Sequence, residues 1–232
     1  MSWFFIALIG PLVHSVANYI DKIVLSKYFH SYRLATILIY ATFTTFLVLP
    51  IFVFIEPQIF QIASRDILLL MLAGFATALA IYFYLYALNK DDTSVIVPFF
   101  QLIPIFTYVI GHIVLGETLS KQQFLGSAIV ILGAIILSLE IDEGQKIKIK
   151  HKIVILMIIA SLLYAFEGVL FKFVAIGENF WISNFWEGIG FSLLGLAVFL
   201  GNTVCRKEFI HSLKAHRAKI AGATFFSELL TT

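Results

Sequence analysis

Apolar residues run along this chain in long stretches, and polar residues are confined to short breaks between them. The stretches lie near 3–25, 34–55, 67–88, 94–115, 121–139, 153–174, 180–200 and 220–232. A helix needs about 20 mostly apolar residues to cross the hydrocarbon core of a bilayer, and all but the last stretch come to roughly that length. Strands of a membrane barrel alternate polar and apolar positions, whereas a run such as ILLLMLAGFATALAIYFYLYAL does not alternate. The pattern predicts an all-α polytopic helical membrane protein with about eight spans present.

The breaks carry local structural logic. Gly116 follows the apolar run ending at Leu115, where a helix-terminating glycine is expected. Ser120 stands three residues before Gln123, the spacing of a capping box for the next helix. Thr93 and Ser94 are candidate caps for the fourth span. Pro98 falls in the first turns of that span, and Pro104 lies deeper, where it should bend the helix. Small residues recur on helix faces at Gly74 and Ala78, Gly126 and Gly133, and Gly188 and Ser192, which in lipid lets helices approach closely.

Composition agrees with the pattern: 60% of the 232 residues are apolar and 13% charged, against about 45–50% and about 25% in soluble domains. That much apolar surface calls for lipid as solvent. A net charge of +2, with the basic residues scattered among short loops, argues against a nucleic-acid partner. The single cysteine, Cys205, excludes an internal disulfide framework. The N-terminal segment has neither the basic region nor the cleavage site of a secretory signal and reads as a retained first span.

A weak internal repeat is visible. HSVANYIDK at 14–22 aligns with YAFEGVLFK at 164–172, pairing Lys22 with Lys172 and His14 with Tyr164. The third and eighth spans align Gly74 with Gly222. Five spans precede the second copy, and an odd number turns that copy upside down. Inverted repeats of this kind occur in secondary transporters, with the substrate near the midplane. The expected organisation is an inverted five-plus-five repeat: a first five-helix copy over 1–139, a charged linker over 140–152, and a partial second copy over 153–232. On that reading the rest of span eight and spans nine and ten are missing beyond Thr232, as in a truncated product.

Residues 86–137, YALNKDDTSVIVPFFQLIPIFTYVIGHIVLGETLSKQQFLGSAIVILGAIIL, carry a family resemblance. Tyr86–Ala87–Leu88 closes the third span; Ser94–Val95 with Pro98, then Pro104, the Leu115–Gly116–Glu117 turn, and Gly126 with Gly133 follow in order. This arrangement resembles the EamA-type branch of the drug/metabolite transporter superfamily, and the resemblance covers the whole chain loosely. It implies a ten-span carrier of metabolites, amino acids or drugs in the cell membrane, working by alternating access and without a cofactor.

Ionisable groups inside spans are functional candidates by default. They are His14, Asp21, Lys22, Glu167, Lys172, Glu187 and Glu228. His14, Asn18 and Lys22 recur every four residues and make one polar stripe on the first span. Tyr82 and Tyr86 share a face of the third span, and Gln101 lies between the two prolines of the fourth. The candidate substrate cavity is therefore lined by His14, Asn18, Tyr82, Tyr86, Gln101, Tyr164, Glu167 and Lys172. The bland alternatives are snorkelling for Asp21, Lys22 and Lys172, interhelical hydrogen bonding for His14, and structural pairing for Glu167 and Glu228. Glu167 and Lys172 lie on different sides of one helix and are not expected to pair. For Glu117 the expected role is structural, its carboxylate favouring the N-terminus of the fifth helix. The partners expected are the lipid bilayer and a small-molecule substrate, with a homodimer as an open alternative. A membrane enzyme of lipid-linked substrates and a non-transporting assembly partner are the competing classes, although the polar segments 140–152 and 201–219 hold no phosphate-binding glycine loop and no HExxH pair. The positive-inside rule favours an external N-terminus, while the resemblance implies a cytoplasmic one.

Overall fold

The computed structural model describes residues 34–91, 96–118, 120–138 and 151–215, together with positions 9, 12, 15, 16, 18–20, 22 and 23. His14, Asp21, Thr93, Ser94, Glu228, most of the expected linker and the expected eighth span lie outside the described residues. The described chain is helical: α1 Ala35–Ile55, α2 Ser64–Leu88, a 3-10 helix Val97–Leu102, α3 Ile103–Leu115, α4 Lys121–Ser138, α5 His151–Ala175, α6 Phe180–Gly201 and α7 Thr203–Ala215. Helices are what an apolar solvent demands, because every backbone donor and acceptor must be satisfied within the segment. Among the described residues, α1, α2, Val97–Leu115, α5 and α6 are long and apolar enough to cross a membrane. This is a multi-pass helical membrane protein.

The chain divides into two units, Glu56–Phe191 and Met1–Ile55 with Ser192–Thr232. Helix α6 gives its first part to one and its last part to the other.

In the unit Glu56–Phe191, α2 and α5 pack antiparallel. The Arg65 guanidinium, at the start of α2, lies 5.5 Å from the ring centroid of Phe173 near the end of α5. At the opposite ends, Lys152 Nζ lies 5.1 Å from the Tyr86 ring centroid and 3.2 Å from its hydroxyl. Between these clamps α2 buries Ala73, Gly74, Ala76, Ala78 and Ala80, and α5 buries Met157, Ala160, Ala165 and Val169. Small side chains on α2 let the backbones come close, which in lipid is the main route to helix association.

The fourth span is two helices rather than one bent helix. Proline has no N–H, so Pro104 cannot bond back to the carbonyl of Phe100 as an α-helix requires. That carbonyl instead takes the N–H of Ile103, a 3-10 pattern that ends the first piece. Pro98 and Pro104 each occupy the first turn of a helical piece, where a missing donor does no harm. At its other end α3 closes on Gly116, with φ 67° and ψ 18°, whose N–H bonds His112 O at 3.1 Å. This left-handed conformation is open to glycine at little penalty. The capping box then forms: Ser120 N–H to Gln123 Oε1 at 2.9 Å, and Gln123 N–H to Ser120 Oγ at 3.3 Å.

The expected close approach of small residues holds in one place and not in another. A Cβ on Gly74 would overlap the main-chain carbonyl of Glu187, and one on Gly190 would overlap that of Met71, so α2 and α6 cross backbone to backbone. At Gly126 and Gly133 no atom of the described residues lies within 4 Å of such a Cβ.

In the unit Met1–Ile55 with Ser192–Thr232, α1 runs antiparallel to the end of α6. Gly195 lies against the carbonyl of Leu38, and Thr42 Oγ1 donates to Ser192 O at 3.4 Å. The hydroxyls of Thr44 and Thr45 fold back onto the Ala41 carbonyl at 2.8 and 2.9 Å, which satisfies them without water. Helix α7 falls within 201–219, which the sequence reads as a polar connection. Its buried positions Cys205, Phe209 and Ser212 follow a helical period, but its 13 residues are too few to cross a bilayer.

Candidate functional site

In the unit Glu56–Phe191, α5 carries polar groups that face the 3-10 helix on one side and interact with α6 on the other, and α2 packs against both α5 and α6. Tyr164 and Glu167 sit one turn apart on α5, both half-buried. The Tyr164 ring stands edge-on to Phe100 of the 3-10 helix at 5.7 Å, and Phe100 packs against Tyr84 of α2 at 5.1 Å. One turn before Tyr164, the Ser161 hydroxyl donates to Phe99 O at 3.0 Å and ties the 3-10 helix to α5. Gln101 is the half-buried polar neighbour of Phe100 on the same short helix.

On the α6 side, Glu187 is half-buried and its carboxyl interacts electrostatically with that of Glu167. The Thr77 hydroxyl, on α2, donates to the Ala73 carbonyl at 3.2 Å and lies within electrostatic reach of the Glu187 carboxyl. A hydroxyl can donate to an ionised carboxylate or accept from a protonated one. With Ala73 O available for its proton, Thr77 can serve Glu187 in either state. Two carboxylates that feel one another repel, and a proton or other cation shared between them removes that repulsion. Carboxyls, a hydroxyl and an aromatic wall make an environment suited to a small organic ligand with a cationic or hydrogen-bonding group. Among the described residues no three acidic, histidine or cysteine side chains gather as a metal ion would need.

Several predicted residues lie elsewhere. Tyr86 is taken up by Lys152 at the end of α2, and Tyr82 is half-buried beside Phe83. Lys172 pairs with Glu117, the two side chains 52% and 47% exposed. The Glu117 carboxylate therefore reaches α5, while its main-chain oxygen meets His112 Nδ1 at 2.8 Å. Asn18 is a half-buried helical residue of the other unit, and His14 lies outside the described residues. The structure thus brings together Tyr164 and Glu167, with Gln101 adjoining, from the predicted set. It adds Glu187, Thr77, Tyr84, Phe100 and Ser161. Glu187 was visible in the sequence as an ionisable residue inside a span; the other four are ordinary span residues until their neighbours are known.

A sequence model described as the EamA-like transporter family matches residues 1–139, more than half of the chain. None of the curated proteins compared with the chain matches it.

Proposed function

The chain belongs to the EamA-like transporter family, and from that premise we propose that it moves small metabolites or drug-like solutes across the cell membrane by alternating access, coupled to protons. The observation that carries this reading is the Glu167–Glu187 pair with Thr77 beside it. Ionisable groups inside spans are expensive to keep and mark substrate or proton pathways. Here two of them interact electrostatically, and Glu167 lies one turn from Tyr164, whose ring packs with Phe100 and, through it, Tyr84. In this scheme the carboxyl pair takes up a proton on the acidic side and releases it on the other, and the aromatic wall holds the apolar body of the solute.

The proposed organisation is two five-span copies of opposite orientation, 1–139 and from 153 onward, joined by the linker 140–152. The antiparallel packing of α2 and α5 supports it. Three chain reversals separate these helices, and only an odd number places their ends as Arg65–Phe173 and Tyr86–Lys152 place them. The family consists of transporters rather than enzymes, which sets the lipid-linked enzyme reading aside at that level.

The test is flux into proteoliposomes, with an imposed pH gradient, against a panel of amino acids, nucleosides and cationic drugs. Gradient-dependent uptake of one class by the wild type supports the proposal. No flux of any member by a correctly inserted, monodisperse protein would sink it.

A further inference from the structure

Helix α7, Thr203–Ala215, has an inner and an outer face of different chemistry. It has 13 residues, about 20 Å of helix, well short of the roughly 30 Å hydrocarbon core. It begins directly after α6 ends at Gly201, capped by Asn202, whose Oδ1 accepts the N–H groups of Val204 and Cys205, both at 3.1 Å. Its inner face holds Cys205, Phe209 and Ser212, all buried. These meet the first turns of α1: Phe209 packs on Tyr40 at 4.7 Å and on Phe43 at 5.1 Å, and Ser212 bonds the Tyr40 hydroxyl at 2.6 Å. Helix α7 is thus held against the first turns of α1, a segment long and apolar enough to span.

Charge on α7 is segregated. Its one acidic residue, Glu208, accepts a hydrogen bond from Thr36 Oγ1 at 2.9 Å and so faces α1. Lys207, His211 and Lys214 are exposed and Arg206 is half-buried. Lys207, His211 and Lys214 follow at spacings of four and three, which puts them on one side of the helix. Between these bases Val204, Ile210 and Leu213 are 42%, 43% and 40% exposed. Exposed apolar side chains interleaved with cations match the boundary where acyl chains give way to headgroups. The sequence continues with Arg217 and Lys219, of the same sign.

We propose that α7 is an interfacial helix whose outer edge, Arg206, Lys207 and Lys214, binds the phosphate groups of anionic phospholipids. The acid is turned inward and the bases outward, so the edge complements a negative lipid surface, and Ile210 and Leu213, on one side of the helix, enter the acyl region beside it. A basic residue near such a surface contributes about fivefold in affinity.

The test uses the full chain, released from bilayers of equal phosphatidylglycerol and phosphatidylcholine into mild detergent, with retained lipid counted by native mass spectrometry. The wild type retains phosphatidylglycerol in preference. In Lys207→Gln/Lys214→Gln that preference falls by roughly 25-fold, while Lys207→Arg/Lys214→Arg and Lys121→Gln, on α4 of the other unit, keep it. Equal retention of both lipids by the wild type, or an unchanged preference in the double glutamine variant, overturns the proposal. So does displacement of the lipid by millimolar inorganic phosphate, which would make this a small-anion site, or equal capture of a soluble acidic peptide without lipid.

Discussion

Gly74 of α2 meets the main-chain carbonyl of Glu187 of α6 so closely that any side chain at position 74 would occupy the same space. The contact sits one helical turn from Thr77 and holds the carboxyl-bearing turn of α6 against α2, within electrostatic reach of the Thr77 hydroxyl. Backbone contact at a glycine thus sets the geometry of the polar cluster. The obstacle to a Cβ is main chain rather than the mobile end of a side chain, so Gly74→Ala forces the helices apart. We expect a loss of about 1–3 kcal/mol, read as a lowered midpoint of thermal unfolding in detergent. Gly126→Ala is the contrast: with open space around it among the described residues, the alanine gains helix propensity, so the midpoint stays level or rises by the equivalent of up to about 1 kcal/mol of stability. Equal effects at the two positions would contradict the crossing.

If Glu167 and Glu187 exchange a proton as a pair, removing either carboxyl disables the pair. Glu167→Gln and Glu187→Gln should each abolish the response of flux to a pH gradient, and the double variant should be no worse than either single one, as for residues that act as a unit. Flux in a single variant that still follows the gradient as in the wild type would exclude the pair as the coupling site.

The Lys172–Glu117 ion pair is about half exposed on both sides, and exposed pairs contribute roughly 0.2–1 kcal/mol. Lys172→Gln is therefore expected to lower stability by less than about 1 kcal/mol, with the difference shrinking in high salt. The swapped pair Lys172→Glu/Glu117→Lys should recover most of it. A double-mutant cycle of unfolding midpoints at low and high salt measures both.

In the buried bond between Tyr40 and Ser212, the proton is the tyrosine's to give. The Ser212 hydroxyl already donates to Phe209 O at 3.0 Å, so Tyr40 donates at 2.6 Å. Tyr40→Phe keeps the ring contacts with Phe209 and leaves Ser212 its own acceptor. We expect a loss of about 0.5–1.5 kcal/mol, measured as a shift in the unfolding midpoint.

Local chemistry was legible in the amino-acid order, and tertiary choices were not. The run predicted over 34–55 is helix Ala35–Ile55, and the one over 180–200 is helix Phe180–Gly201, because in lipid an apolar run of that length has one way to satisfy its backbone. Gly116 and the Ser120–Gln123 box could be placed from neighbouring residues because caps are made within a few residues of the chain. Gly74 and Gly126, by contrast, look alike in sequence, and only the neighbour across the crossing distinguishes them. Glu117 offered its charge equally to a nearby helix end and to a distant lysine; Lys172, brought in from α5, took it. Thr77, Tyr84 and Phe100 join the cluster through partners on other helices, which no local pattern announces. Helix α7 stayed hidden for a different reason: its period rests on three inward residues, Cys205, Phe209 and Ser212, two of them small enough to pass as loop.

The two cation–ring clamps at opposite ends of α2 and α5 restrict how a transport cycle can use these helices. A slide of one along the other by a single turn would unseat both cations at once. In the proposed alternating-access cycle, the antiparallel pair keeps both cation–ring contacts when it swings as one rod and loses them when it shears. A disulfide engineered across the rod should leave turnover running.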